Sequence, residues 1–228
     1  MRTPIIDTLH FISQETPTRT HLTAIHQALQ AGCKWIQLRI KDQPAGLILE
    51  YAIEAKRMCE QHGAKLIVND HPEIALKAAA YGVHLGLQDM PLQLAREIVG
   101  PDMIIGGTAN THQHVLQRMA EGADYIGLGP YRFTRTKKNL SPVLGLQGIH
   151  AIMQRLSATA IPVIAIGGIL PEDIPLLMQT GVHGVAVSGA ITHAAAPSVA
   201  VGQLYDQLHA ALPNLNPKPQ PDHATNRR

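Results

Sequence analysis

Cysteine is scarce in this 228-residue chain, with only Cys33 and Cys59 present. Two cysteines cannot build a disulfide framework at this size, so the fold must rest on apolar packing. Excess charge is scarce as well: Lys and Arg number 19 against 17 Asp and Glu, a formal net charge of +2. That balance excludes a broad nucleic-acid face, which needs a larger basic surplus. Long hydrophobic runs are missing, and the N-terminus lacks a signal-peptide pattern. The expectation is a cytoplasmic, soluble protein with neither a membrane nor a nucleic-acid partner. Histidine is plentiful at 13 residues. The residues are scattered, and none joins cysteines or carboxylates at metal-ligand spacing on one element, which argues against zinc.

Enough apolar sequence is present to bury a full core, and a single α/β barrel commonly reaches this length. Residues 213–228 (PNLNPKPQPDHATNRR) stand apart through repeated proline and no apolar periodicity, so a disordered tail is expected beyond a domain over 1–212. Within that domain, β-branched runs are expected as strands near residues 9–13, 35–40, 65–70, 82–86, 103–108, 125–129, 162–167 and 184–188. Amphipathic segments at 20–31, 45–61, 72–80, 91–99, 111–121, 146–156, 171–180 and 199–211 fill the gaps. Several end at glycine, as at Gly32, Gly63, Gly122 and Gly181, which fits left-handed caps. Eight such alternations predict a single-domain (β/α)8 barrel, with a doubly wound open sheet as the alternative. Trp35 and Met119 read as core or near-core. In a barrel, chemistry sits on the loops after the strands.

The strand ends carry that chemistry. Residues 125–138 run from a glycine-containing strand into a loop where Thr134, Thr136 and Lys137 can donate to oxyanions, with Arg132, Arg135 and Lys138 adding charge. On the second strand, alternation puts Gln37, Arg39 and Lys41 on one face and Leu38 and Ile40 on the other. Two inward cations suit a pyrophosphate between them; the alternative is ion pairing with carboxylates of neighbouring strands. Asp70 and Asp89 end the next two strands beside those cations and suggest Mg²⁺, unless they merely cap the helices that begin near Pro72 and Pro91. Gly106 and Gly107 could admit a ligand to backbone amides, with Thr108 adding a hydroxyl, or could simply make a turn. After the last two strands, Gly168, Ser188 and Gly189 predict a phosphate site. His84 reads as an inward, hydrogen-bonded core residue. Two anion sites emerge, one cationic and metal-associated, the other amide-lined.

Taken in order, Gln-Leu-Arg-x-Lys at 37–41, Val-Asn-Asp at 68–70, Gly-Val-His-Leu-Gly-x-x-Asp at 82–89, Asp-Tyr-Ile-Gly-x-Gly-Pro at 124–130, Thr-x-Thr-Lys at 134–137 and Ala-Ile-Gly-Gly-Ile at 165–169 resemble the thiamine phosphate synthase family over roughly residues 8–210. The resemblance implies a transferase of thiamine biosynthesis on a TIM barrel. It would join hydroxymethylpyrimidine pyrophosphate to hydroxyethylthiazole phosphate, or its carboxylated form, releasing pyrophosphate with Mg²⁺ as cofactor. Carried onto this chain, Gln37, Leu38, Arg39, Ile40, Lys41, Asn69, Thr108 and Lys137 would hold the pyrimidine pyrophosphate, with Arg39, Lys41, Lys137 and Thr108 catalytic. Thr134, Arg135, Thr136, Gly168, Ser188 and Gly189 would hold the thiazole phosphate, and Asp70 and Asp89 the metal. The chain departs from the family pattern at Thr108 (usually serine), Phe133 (commonly proline) and Leu87 (usually glutamine). Alternatives are a thiazole tautomerase of the same superfamily, with His112 as its acid/base group, and a non-catalytic barrel that binds thiamine precursors. Expected partners are small phosphorylated molecules; outer-ring helices could also make homo-oligomer contacts.

Overall fold

The computed structural model describes residues 6–134, 141–156 and 161–211. Strand and helix alternate in the order β1 (Leu9–Ile12), α1 (His21–Gln30), β2 (Trp35–Leu38), α2 (Ala45–Gln61), β3 (Lys65–Asn69), α3 (Pro72–Lys77), β4 (Gly82–Leu85), α4 (Leu92–Val99), β5 (Ile104–Ala109), α5 (His112–Ala120), β6 (Tyr125–Leu128), α6 (Gly145–Gln154), β7 (Val163–Ile166), α7 (Ile174–Gln179), β8 (Gly184–Val187), α8 (Gly189–Thr192) and α9 (Pro197–Ala211). Each strand pairs in parallel with the next, and β8 closes on β1 with Leu9 opposite Val185. That last pairing decides for the barrel over the open sheet. Among the described residues no helix is long and apolar enough to cross a membrane.

Strand alternation sorts the core into two shells. Outward positions such as Phe11, Ile36, Val68, Val83, Ile105, Ile126 and Val185 are fully buried against the helices. Inward positions fill the barrel: Ile12, Trp35, Ile67, Ile104, Tyr125 and Ile164 pack together. The floor is aromatic. His10 stacks on Trp35 with centroids 4.6 Å apart, and Tyr125 and Tyr81 meet the indole edge-on. Burial drives the His10 imidazole down to about 3, so the ring is neutral, and its Nε2–H donates to the Asp7 carbonyl at 2.9 Å.

Helix ends follow local chemistry. Thr20 and Thr111 cap α1 and α5 by accepting from the amides of Thr23 and His114. Gly32, Gly63, Gly122 and Gly181 all take positive φ past the helix ends. Two differences from expectation stand out. A short helix, α8, follows β8 directly, where too few residues separate strand from α9 for periodicity to register. Met119 is 36% exposed, because it lies on the solvent side of α5 while Val115 and Arg118 face inward.

Gly106 faces into the barrel, and a Cβ there would lie 2.2 Å from the Tyr125 ring. The glycine makes room for that ring. Gly106→Ala is therefore expected to cost roughly 2 kcal/mol or more through overpacking, read in a thermal melt as a loss of about 6 °C. An unchanged Tm would show that Tyr125 can repack.

Candidate active site

A cavity of about 680 Å³ opens at the C-terminal ends of the strands, above the aromatic floor. One wall is ionic. Gln37, Arg39 and Lys41 reach it from β2 and its extension, Asn69 and Asp70 from β3, and Asp89 from the loop after β4. Lys41 Nζ donates to Asp70 Oδ2. The ion-pair alternative is thus realised for Lys41, yet both partners line the cavity and the lysine is 43% exposed. An arriving pyrophosphate and cation could divide the pair between them.

The capping alternative for the aspartates does not hold. The residue heading α3 is His71, and that heading α4 is Pro91, neither with a side-chain cap bond. Asp70 takes a left-handed conformation (φ 67°), and its carboxyl comes within hydrogen-bonding reach of Asp89. Burial first, then the Asp89 carboxyl, push Asp70 above the ordinary carboxylate range, with Lys41 pulling back. Two carboxyl groups forced together beside cations are a donor set that fits a hard divalent ion. No group of three or more His, Cys, Asp or Glu converges for a metal among the described residues, so remaining coordination positions would fall to phosphate oxygens and water. Asp89 is itself fixed: the Gly86 amide donates to its Oδ2 at 2.6 Å.

Arg39 is held from behind. Its amide donates to Ser13 Oγ at 3.1 Å, and the same hydroxyl hydrogen-bonds His21 Nδ1, 2.9 Å away. Burial lowers the His21 pKa, which favours the neutral ring. Burial also weighs on the Arg39 guanidinium, and Asp70, Asp89 and Asp42 offset it.

Thr108 stands above the floor in a relay. Its Oγ1 lies 3.0 Å from His84 Nε2, and His84 Nδ1 lies 3.0 Å from the Tyr125 hydroxyl. The buried phenol keeps its proton and can give it to Nδ1; in that tautomer Nε2–H donates to Thr108, whose own proton is left for a ligand. His84 is thus the inward, hydrogen-bonded residue expected. Tyr125→Phe removes the donor that sets this tautomer. It is expected to lower kcat about tenfold, by roughly one to two hydrogen bonds' worth of positioning, with steady-state kinetics as the check. Unchanged kcat would remove the relay from the mechanism.

The opposite wall is uncharged. Thr134, Gly168, Ser188 and Gly189 all line it. Gly168 has φ +66°, and a Cβ there would lie 2.5 Å from Arg132 Cγ, so only glycine lets the loops after β6 and β7 approach. Arg132 has a bracing role rather than the anion-facing one expected. Its guanidinium donates to the Gly168 carbonyl at 2.9 Å and to Asp173 at 2.7 Å.

Further corrections concern backbone and packing. The Leu38 and Ile40 side chains sit in the sheet–helix core, as alternation requires, so any part they take in the site falls to their backbone. Gly106 and Gly107 do not line the cavity; they accommodate Tyr125 and Arg118. His112 opens α5 and does not line the cavity either, which removes the candidate named for the tautomerase alternative. Arg135, Thr136, Lys137 and Lys138 lie outside the described residues, as does the segment 213–228.

Three residues that nothing in the sequence singles out belong to the site's surroundings. Gln14 connects Ser188 with His193, which lines the cavity. Arg118 is buried and donates to the carbonyls of Gly86 and Thr108. A lone uncharged glutamine and an arginine inside a helical pattern carry no local signal of such partners. Gln14 could have been found by one rule alone, since it lies two residues past a strand end.

Comparison with known proteins bears on this geometry. A sequence model described as thiamine monophosphate synthase matches residues 9–191. The chain is 49% identical over 192 residues to the thiamine-phosphate synthase of Bacteroides thetaiotaomicron, covering 83% of this chain and 92% of that protein. It is 48% identical over 202 residues to that of Flavobacterium psychrophilum, covering 88% and 98%. Among solved structures, thiamine phosphate pyrophosphorylase from Pyrococcus furiosus superposes with a TM-score of 0.80 at 31% identity, covering 90% of this chain and 96% of that one.

Proposed function

The chain belongs to the thiamine monophosphate synthase family, and from that premise we propose how its own residues carry the reaction. Membership makes it a transferase of thiamine biosynthesis that forms thiamine phosphate. The observation that carries the finer reading is the pairing of two unlike walls in one cavity. One is built of Arg39, Lys41, Asp70 and Asp89, the other of Thr134, Gly168, Ser188 and Gly189. A pyrophosphorylated pyrimidine suits the first and a monophosphorylated thiazole the second.

Arg39 grips the pyrophosphate with its planar fork, and Lys41 supplies a compact charge beside it. Gln37, Asn69 and Thr108 hold the pyrimidine over the floor, Thr108 through the proton left free by the His84 relay. Asp70 and Asp89 hold Mg²⁺, which would offset charge on the departing pyrophosphate when bound. Lys137 joins Arg39 and Lys41 as a third cation in this reading. The C–O bond to pyrophosphate breaks first, leaving a pyrimidinylmethyl cation, and the thiazole nitrogen donates the electron pair that captures it. Amides at Gly168 and Gly189, with hydroxyls of Thr134, Thr136 and Ser188 and the Arg135 cation, fix the thiazole phosphate so that its nitrogen faces that carbon. No protein nucleophile is needed. Cys33 and Cys59 are in any case buried away from the cavity, their thiols pushed up to about 12.

The test is thiamine phosphate formation from the two purified precursors, with Mg²⁺ and with the metal chelated. The expected result is metal-dependent coupling with equimolar pyrophosphate release. No product at saturating substrates would overturn the reading, and full activity in chelator would overturn the metal assignment.

A further inference from the structure

At the uncharged wall Gln14 bridges Ser188 and His193 by hydrogen bonds whose directions can be read. Ser188 Oγ donates to its Oε1 at 3.0 Å, and its Nε2 lies 2.6 Å from His193 Nε2. An amide NH2 can only donate, so His193 Nε2 accepts and the ring proton sits on Nδ1. The single hydroxyl proton of Ser188 therefore points at Gln14 and not at the cavity that Ser188 lines. A phosphate there would meet an oxygen whose proton is already committed.

The surroundings are fixed around this amide. Arg19 donates to the Thr192 carbonyl, tying the loop after β1 to the end of α8. Thr16 and Arg19 exchange backbone hydrogen bonds at 3.0 and 3.3 Å within that loop. The His193 ring lies close over Gly189, where a Cβ would come within 3.2 Å of its Cδ2. Main chain on both sides is thus held, so any change of setting at Gln14 falls to its terminal amide.

We propose that Gln14 is a positioning residue with two settings, and that binding of the thiazole phosphate turns its amide over. The proposal rests on the placement of that phosphate at Ser188. Half a turn puts Nε2 against Ser188 Oγ and Oε1 against His193. Ser188 then accepts from Gln14 and gives its proton to a phosphate oxygen. His193 gives up the proton on Nδ1 to solvent, gains one on Nε2, and donates to Oε1, so its charge is unchanged. The hydrogen bonds to Ser188 and His193 both survive, and one charge-assisted bond to phosphate is added. A carboxylate at position 14 could only accept and an ammonium only donate. The amide alone serves both settings at one size.

The side-chain ¹H–¹⁵N spectrum of His193, assigned by its loss in His193→Gln, reads the proton directly. In the free protein Nδ1 is expected to be protonated; saturating thiazole phosphate is expected to move the proton to Nε2. Kinetically, Ser188→Ala should raise KM for thiazole phosphate about tenfold, the worth of one charged hydrogen bond. Gln14→Met should raise it about fivefold and leave KM for the pyrimidine substrate unchanged. The double variant should be no worse than Ser188→Ala, because Gln14 acts through Ser188. Calorimetry on the same sample separates two failures. Binding of thiazole phosphate with the proton still on Nδ1 would overturn the two settings alone, whereas no binding would overturn the site assignment with them. Additive KM effects in the double variant would likewise sink the coupling.

Discussion

Asp89→Asn is expected to lower turnover about 10³-fold while raising the melting temperature of the metal-free protein. On the proposed assignment the loss follows from removing one of the two carboxylates that would hold the metal beside the departing pyrophosphate, where preorganised charge contributes most. The gain follows from the strain between the two carboxyl groups. Asp70 is raised above the ordinary carboxylate range by burial and by Asp89. A carboxylate raised on folding binds more protons in the native than in the unfolded state between its two pKa values. Stability is therefore highest below the unfolded value and falls as pH rises through the raised one. Asparagine removes the neighbouring charge yet keeps an acceptor for the Gly86 amide. Melts in chelator at about pH 4, near the unfolded carboxylate value, and at about pH 7.5 check this. The native protein should lose more stability between them than the variant does, and Mg²⁺ should raise Tm in the native protein only. An identical pH response in both proteins would refute the carboxylate pair as the source of strain.

Arg118→Met is expected to cost roughly 3 kcal/mol of stability, or about 9 °C in Tm, and also to weaken metal activation. Arg118 is only 4% exposed and pairs with Glu121, itself 11% exposed. Removing the guanidinium would leave that carboxylate without its partner across α5. The same guanidinium donates to the Gly86 carbonyl at 3.1 Å and to the Thr108 carbonyl at 3.3 Å. Both peptide groups flanking the Gly86 Cα are thereby held, one by Arg118 and the other by Asp89 Oδ2. Titrating Mg²⁺ against activity should show a several-fold higher requirement in the variant, with KM for thiazole phosphate unchanged. Arg118→Lys separates the two roles. It keeps a charge for Glu121 but loses the planar fork that reaches both carbonyls, so it should recover much of the stability and little of the metal affinity. A normal Mg²⁺ requirement in both variants would confine Arg118 to stability.

Most of the fold is legible from the sequence because a barrel strand announces itself twice, by its apolar outward residues and by the loop chemistry that follows. Gln37, Arg39 and Lys41 could be placed on one face by counting in twos, and they do share the cavity. Asp70 and Asp89 could be brought together only as ends of neighbouring strands; their contact depends on a left-handed residue that no spacing reveals. Arg132 was misjudged for a related reason. Its charge is visible in the sequence, but Asp173, which occupies it, lies 41 residues away. Gly106 and Gly107 looked like a ligand approach because glycine marks any close contact, and here the neighbours are Tyr125 and Arg118. Gln14 acts through uncharged side chains, and Arg118 reaches the site through main-chain carbonyls; neither kind of partner leaves a pattern in the chain.

Ser13 and Gln14 are consecutive, and their side chains turn opposite ways. Ser13 accepts from the main chain of β2 beside Arg39, and Gln14 reaches across to Ser188. On the proposed assignment, supports of the two donor sets are thereby linked through a pair of Cα atoms about 3.8 Å apart. A coupling that needs two substrates held in register would have part of its ruler in one dipeptide. Lengthening that loop by a residue would put the two halves of the reaction out of step without touching any group that binds either substrate.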